Sequence, residues 1–263
     1  MITTTQRFLK KHPICCFCGG NTPATTRDHV PAKGLFDGKH RPDQLVFPSC
    51  KPCQEASKKH ELVAAMMARI YPDARTRSAD KEVPKYLRRV SKAVPGLLEE
   101  MQPSPTQQAR FKEIRNKEPG AAGVLSARGP LLNRSLELFG VKLTAALCYQ
   151  HVGRIVGLDE AISVRIYTNV DAILGKLPQT ILDLMGEPVT LMQGQWSVPN
   201  QFWYQYAITA SRAQAVFFAA FRRSFAILGV VWEHVSNVPP GEGLPTYTPS
   251  DSSGFLRSVE RDR

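Results

Sequence analysis

Residues 12 to 60 show little regular apolar periodicity and are dense in Cys, His, Pro and Gly, the pattern of a small unit held by metal rather than by a core of its own. The pattern then turns helical. From Pro52 or Cys53 the stretch CQEASKKHELVAAMMARIY sets Leu62, Val63, Met66, Met67 and Ile70 at helical spacing, and Pro72 ends the run. Residues 76 to 118 predict one or two basic helices, ADKEVPKYLRRVSKAVPGLLEEM and PTQQARFKEIRN, interrupted by Pro95 and by QPSP. EPGAAGVLSARGP predicts a linker or an extended stretch. Beyond it, NRSLELFGVKLTAALCYQHVGR predicts an amphipathic helix with Leu136, Phe139, Leu143, Ala146 and Leu147 along one side.

The remainder is mixed. AISVRIYT alternates as a strand, NVDAILGKLPQTILDLM predicts helix, and FWYQYAIT, AVFFAAF and FAILGVVW have the aromatic and β-branched content of a meander. The end, PPGEGLPTYTPSDSSGFLRSVERDR, is rich in Pro, Gly and Ser and predicts a disordered tail. The expected class is α+β: a cysteine-rich unit over 1–75, a basic helical connector over 76–130, a mixed α/β unit over 131–240 and a tail over 241–263. The chain holds no internal repeat and no phosphate-binding glycine loop of the G-x-G-x-x-G or G-x-x-x-x-G-K type.

Composition narrows the class. A length of 263 residues with 43% hydrophobic content suits a packed core rather than disorder. The N-terminus MITTTQRFLKKHPICC has no apolar segment of the secretory kind. The longest apolar candidate, AVFFAAFRRSFAILGVVW, is broken by Arg222, Arg223 and Ser224, so no membrane partner is expected and the default location is cytoplasmic. The formal charge of +11 is uneven: residues 1–75 hold 12 Lys+Arg against 6 Asp+Glu, residues 76–134 hold 12 against 6, and residues 135–263 hold 10 against 11. A basic half joined to a neutral half suggests a module facing a polyanion, the plain alternative being charge that only solubilises.

Four of the six cysteines form two C-x-x-C pairs, Cys15/Cys18 and Cys50/Cys53. Each pair makes a tight turn that points two thiolates at one ion, so together they predict a structural four-cysteine Zn2+ site. The alternative is two unrelated pairs, one redox active. Cys16 is a spare thiol in this scheme, and Cys148, on an apolar helix face, is a core residue. A closed four-thiolate shell leaves no open coordination position, so any catalysis needs a second site. Between the pairs lies Asp28-His29. On a strand these neighbours point to opposite faces, so both serve one site only at a hairpin or bulge.

The order Cys15-x-x-Cys18, Asp28-His29-Val30-Pro31, Gln44-Leu45-Val46, Cys50-x-x-Cys53-Gln54 and then a helix resembles the HNH nuclease family with its ββα-metal fold, over roughly residues 12–65. It is similar to the branch with a D-H-V-P-x-K-x-x-F stretch, here Asp28 to Phe36, and a second knuckle leading into Ser-Lys, here Ser57-Lys58. The resemblance implies a small zinc-stabilised N-terminal HNH domain in which His29 is the general base and Asp28 ligates a catalytic Mg2+ or Mn2+. It also implies that Gln54, where the family usually has Asn or His, is the second metal ligand, and that Gln44, where it usually has Asn, holds the loop carrying the base. His60 is a metal ligand, a phosphate contact or a plain surface histidine, the last being favoured. His12, His40, His151 and His234 read as structural or solvent-facing, and Lys33, Lys39, Arg41, Lys51, Lys58 and Lys59 as candidate contacts to a phosphate backbone.

The expected function is therefore a metal-dependent endonuclease acting on DNA, RNA being the less expected substrate, with a role in defence against foreign DNA or in a mobile element by analogy. The alternative is a non-catalytic zinc-dependent module that binds nucleic acid. A third class is an interaction scaffold: the second half has no catalytic signature, and its aromatic run QFWYQY allows a homodimer or a protein partner, though core strands explain it equally.

Overall fold

The first helix, α1 (Thr4–Lys11), starts in a reciprocal cap that the apolar pattern does not reveal: the Thr3 hydroxyl accepts from the Gln6 amide at 3.2 Å while the Gln6 side chain accepts from the Thr3 amide at 2.8 Å. The protein is described by a computed structural model over residues 2–37, 42, 44–70, 82–109, 111, 125–127, 129–193, 196–239, 244–249 and 257–258.

After α1 the chain turns through the first cysteine pair. The Cys15 amide bonds the Thr22 carbonyl at 2.9 Å, and Gly19 and Gly20 close the turn with φ of 76° and 82°. Strand β1 (Thr26–His29) then pairs antiparallel with β2 (Val46–Ser49), placing Asp28 opposite Phe47 and His29 opposite Val46. Helix α2 (Lys51–Arg69) follows at once, with Cys50 at its N-cap and Pro52 in its first turn. Its buried residues Cys53, Ser57, His60, Ala64 and Met67 recur at helical spacing and form one stripe.

Helices α3 (Val83–Ala93) and α4 (Leu97–Glu100) lead to α5 (Pro130–His151), whose open N-terminal amides at Leu131 and Leu132 are capped by the Glu100 carboxylate at 2.9 Å each. The one-sided apolar stripe expected of α5 is a correction: every residue from Leu138 to Cys148 is buried. The cause is its position, packed against α2 on one side and against a sheet on the other. It lies close to that sheet because two contacts are glycines. A Cβ on Gly229 would come within 1.9 Å of the Thr144 hydroxyl, and one on Gly140 within 3.0 Å of Ile227.

The sheet consists of β3 (Ala161–Thr168), β4 (Val189–Thr190), β7 (Trp203–Ile208), β8 (Ala215–Phe221), β9 (Phe225–Trp232), β10 (Thr246–Thr248) and β11 (Arg257–Ser258), in the order β11-β10-β3-β9-β8-β7-β4 with every pairing antiparallel. Strands β5 (Met192–Gln193) and β6 (Trp196–Ser197) pair separately. The meander of β7, β8 and β9 and the strand β3 coincide with the alternating segments of the sequence. The predicted helix over NVDAILGKLPQTILDLM resolves into two short pieces, α6 (Asn169–Ile173) and α7 (Gln179–Leu182), with Gly175 at φ 68° and Pro178 between them.

The tail expectation is corrected at β10: Tyr247 is 1% exposed, accepts from Arg134 at 2.9 Å and donates to Glu137 at 2.6 Å. Residues 240–243, 250–256 and 259–263 of that tail lie outside the described residues. One cluster of buried side chains runs from Cys15 through α2 and α5 to Tyr247, so the cysteine-rich unit and the sheet share a core. The architecture is mixed α and β. Among the described residues no helix is long and apolar enough to cross a membrane.

Candidate functional site

The sulfurs of Cys15, Cys18, Cys50 and Cys53 all lie within 4.8 Å of one another and all four residues are buried. A tetrahedral zinc with bonds of about 2.3 Å sets its sulfurs just under about 4 Å apart, so the cluster needs only a small contraction. The thiols also compete for protons: the hydrogen bond with Cys18 pushes Cys15 up to about 12, while the bonds from Cys15 and then Cys53 hold Cys18 down at about 2. Only a cation lets all four be thiolates together. The residues fit Zn2+. Cys16 lies beside the cluster, its amide bonded to the Pro48 carbonyl at 3.1 Å and its thiol raised by burial first and by Cys15 second. Cys148 is in the core as expected.

Asp28 belongs to a different centre. Its side chain points from β1 toward α2 and α5, where Oδ2 accepts from Lys142 Nζ at 2.5 Å while Oδ1 accepts from the His29 amide at 2.9 Å. Lys142 is 0% exposed. It donates also to Ser57 Oγ at 2.7 Å and to Glu61, so all three ammonium hydrogens are used. The Ser57 hydroxyl lies within reach of Glu61 Oε1 at 3.0 Å and of the Gln54 carbonyl at 3.1 Å. Nζ is 5.2 Å from the ring centre of Phe17, which sits inside the first cysteine turn. Burial alone favours neutral lysine, but the charges of Glu61 and Asp28 outweigh it and raise the pKa, so the group is an ammonium.

This arrangement decides the fit of a catalytic divalent ion. The resemblance assigns Asp28 and Gln54 to such an ion, yet the Asp28 oxygen facing α2 is occupied by a buried ammonium. A second cation beside it would meet a like charge in a low-dielectric interior. With that Asp28 oxygen taken by the ammonium, the Asp28–Gln54 pair does not fit Mg2+ or Mn2+.

His29 is half-buried at the end of β1. Gln44 is exposed, and its amide oxygen accepts from the Met192 amide at 3.0 Å, tying the hairpin to β5. Gln54 is half-buried in the first turn of α2. His60 is a correction: the favoured surface histidine is 6% exposed, and its Nδ1 is buried with no hydrogen-bond partner among the described residues. Burial first, then the charges of Lys59 and Arg134, lower it to about 4, so it is neutral near pH 7. His12 bonds the Tyr149 hydroxyl at 2.8 Å, His151 bonds the Tyr204 hydroxyl at 2.9 Å, and His234 caps Ser236 on the surface. Lys33, Lys51, Lys58 and Lys59 are exposed, whereas His40, Lys39 and Arg41 lie outside the described residues.

The stretch after Asp28-His29 is anchored by a second ionic group. Asp37 accepts from Arg69 at 3.1 Å and from Arg222 at 2.6 Å, and Arg69 also donates to the carbonyls of Gly34 and Phe36 at 3.2 and 2.8 Å. Burial would raise the Asp37 carboxyl, but the two guanidiniums, Arg222 foremost, bring it below the usual range.

Sequence reasoning missed Lys142 and Glu61 and gave Ser57 no role. A signal for Lys142 was present: it is the single charged residue in the otherwise apolar stretch LFGVKLTAALC, where a lysine must find buried carboxylates. Compared with known proteins, the chain matches no family model, no curated protein and no solved structure.

Proposed function

We propose that this chain binds nucleic acid, DNA being the expected partner, through a zinc-stabilised HNH-like ββα unit, without metal-dependent cleavage. The observation that carries the reading is the buried ion pair of Asp28 with Lys142, which withdraws the carboxylate that the HNH resemblance gives to a catalytic ion. The binding side rests on charge placement. Lys51, Lys58 and Lys59 are exposed on α2, and Lys85, Arg88, Arg89 and Lys92 are exposed on α3, which packs against α2. Phosphate contacts from such a surface supply affinity that is independent of sequence and falls with salt.

One observation favours the endonuclease reading as second: His29 is half-buried rather than enclosed, at the end of β1 beside Asp28. Plasmid cleavage with added Mg2+ or Mn2+, run beside duplex binding by fluorescence anisotropy at several salt concentrations, separates the two. The first reading expects binding that weakens steeply with salt and no cleavage by wild type or His29→Ala. Cleavage by wild type that His29→Ala abolishes would replace it with the endonuclease, and affinity independent of salt would remove nucleic acid as the partner.

A further inference from the structure

We infer that the Lys142 ammonium is the resident cation of the ββα unit: it sits among Asp28, Ser57 and Glu61 in place of a divalent ion, and those oxygens bind one only when the ammonium is gone. The inference rests on the HNH-like reading of Asp28-His29 and says what holds that site together.

Three features of the cluster carry it. The groups around Nζ are two carboxylates and a hydroxyl, contributed by β1 and by α2, and hard oxygen donors of this kind are what Mg2+ and Mn2+ select. Two carboxylates face one ammonium, and their side chains are only 10% and 15% exposed, so without the lysine they would be neighbouring buried anions that need a cation or protons. Finally, Lys142 comes from the middle of α5, held against the sheet at Gly140 and Gly229 and capped by Glu100. Its ammonium is therefore delivered by a packed helix, not by a surface side chain that swings in and out.

A merely structural ion pair would predict that losing Lys142 destabilises the fold without any gain of metal affinity. The inference predicts a gain. Zinc-loaded wild type, Lys142→Ala and Lys142→Ala/Glu61→Gln are titrated with Mn2+, and free Mn2+ is followed by electron paramagnetic resonance in the absence of nucleic acid. Lys142→Ala is expected to bind Mn2+ at least about tenfold more tightly than wild type, and the double variant to lose that gain. If Lys142→Ala is unfolded without added metal, Mn2+ is expected to restore its circular dichroism spectrum and to leave wild type unchanged. Equal Mn2+ affinity in wild type and Lys142→Ala overturns the inference, as does an unfolded Lys142→Ala that Mn2+ fails to restore. Because only metal is added, failure of nucleic-acid binding in the separate anisotropy experiment leaves this result readable, and the converse holds.

Discussion

Two of the polar centres packed around the β1–β2 hairpin, the cysteine cluster and the Lys142 cluster, solve the same electrostatic problem in opposite ways. The cysteine cluster gathers four donors of one sign from two tight turns, a set that fits an ion from outside. The Lys142 cluster gathers two carboxylates and a hydroxyl from β1 and α2 and meets them with a cation from α5, 114 residues from Asp28 in sequence. The first ties a turn to a helix start. The second ties the ββα unit to the helix that lies on the large sheet, inside the one core that runs through both halves. A buried anionic site is neutralised by a metal, by protons or by a cation of the chain, and the Lys142 cluster uses the last.

The contrast breaks most visibly at the zinc side. Cys50→Ala with Cys53→Ala is expected to reduce zinc from one equivalent to none and to unfold the ββα unit, since structural zinc is worth on the order of 10 kcal/mol against a total domain stability of about 5–15 kcal/mol. Elemental analysis and circular dichroism check this. Retention of the native spectrum without zinc would contradict it.

Lys142→Met is expected to cost about 3–5 kcal/mol in chemical denaturation, because it strands Asp28 and Glu61 as buried charges. Lys142→Met/Asp28→Asn/Glu61→Gln should recover most of that loss, as neutral groups no longer need the ammonium. A single variant that costs less than about 1 kcal/mol would show the cluster to be solvated.

His60 gives a smaller effect with a defined sign. Its folded pKa of about 4 lies below its ordinary 6.5, so the unfolded chain binds the extra proton first. Stability attributable to this group is complete above about pH 6.5 and is lost as pH falls toward 4, by up to about 3 kcal/mol. His60→Leu should lessen the slope of stability against pH between about 5 and 6.5 relative to wild type, a difference that cancels the acid sensitivity of the zinc thiolates common to both. Parallel slopes would contradict the assignment.

The smallest change concerns the basic surface. Arg88→Ala with Lys92→Ala, both exposed on α3, should lower the slope of log affinity against log salt by roughly 2 while shifting stability by no more than about 0.5 kcal/mol. An unchanged slope would move the interface away from α3.

These centres also show what the sequence made legible. The two C-x-x-C turns, α2, β3 and the meander of β7 to β9 follow from local spacing and were predicted in place. The cap of α1, Thr3 with Gln6, is a local signal, but the helix buries no residue and so leaves no apolar stripe in the sequence. His60 is legible by period, since it falls on the stripe of Cys53, Ser57, Ala64 and Met67, although its residue type suggests the surface. Strand β10 was hidden by a Pro- and Gly-rich composition that marks turns as readily as disorder, since what orders it is the contact of Tyr247 with Arg134 and Glu137 over a hundred residues away. The partners of Lys142 were out of reach for the same reason: periodicity tells that a lysine is buried but not which carboxylates meet it.

The most direct test of the central contrast is the metal inventory of the native chain. Wild-type protein equilibrated with zinc and then with excess Mn2+, freed of loose ions and analysed for both elements, should hold one zinc and no manganese per chain. A second equivalent, manganese that Asp28→Asn removes, would show that Lys142 yields its place to an ion and would contradict the account.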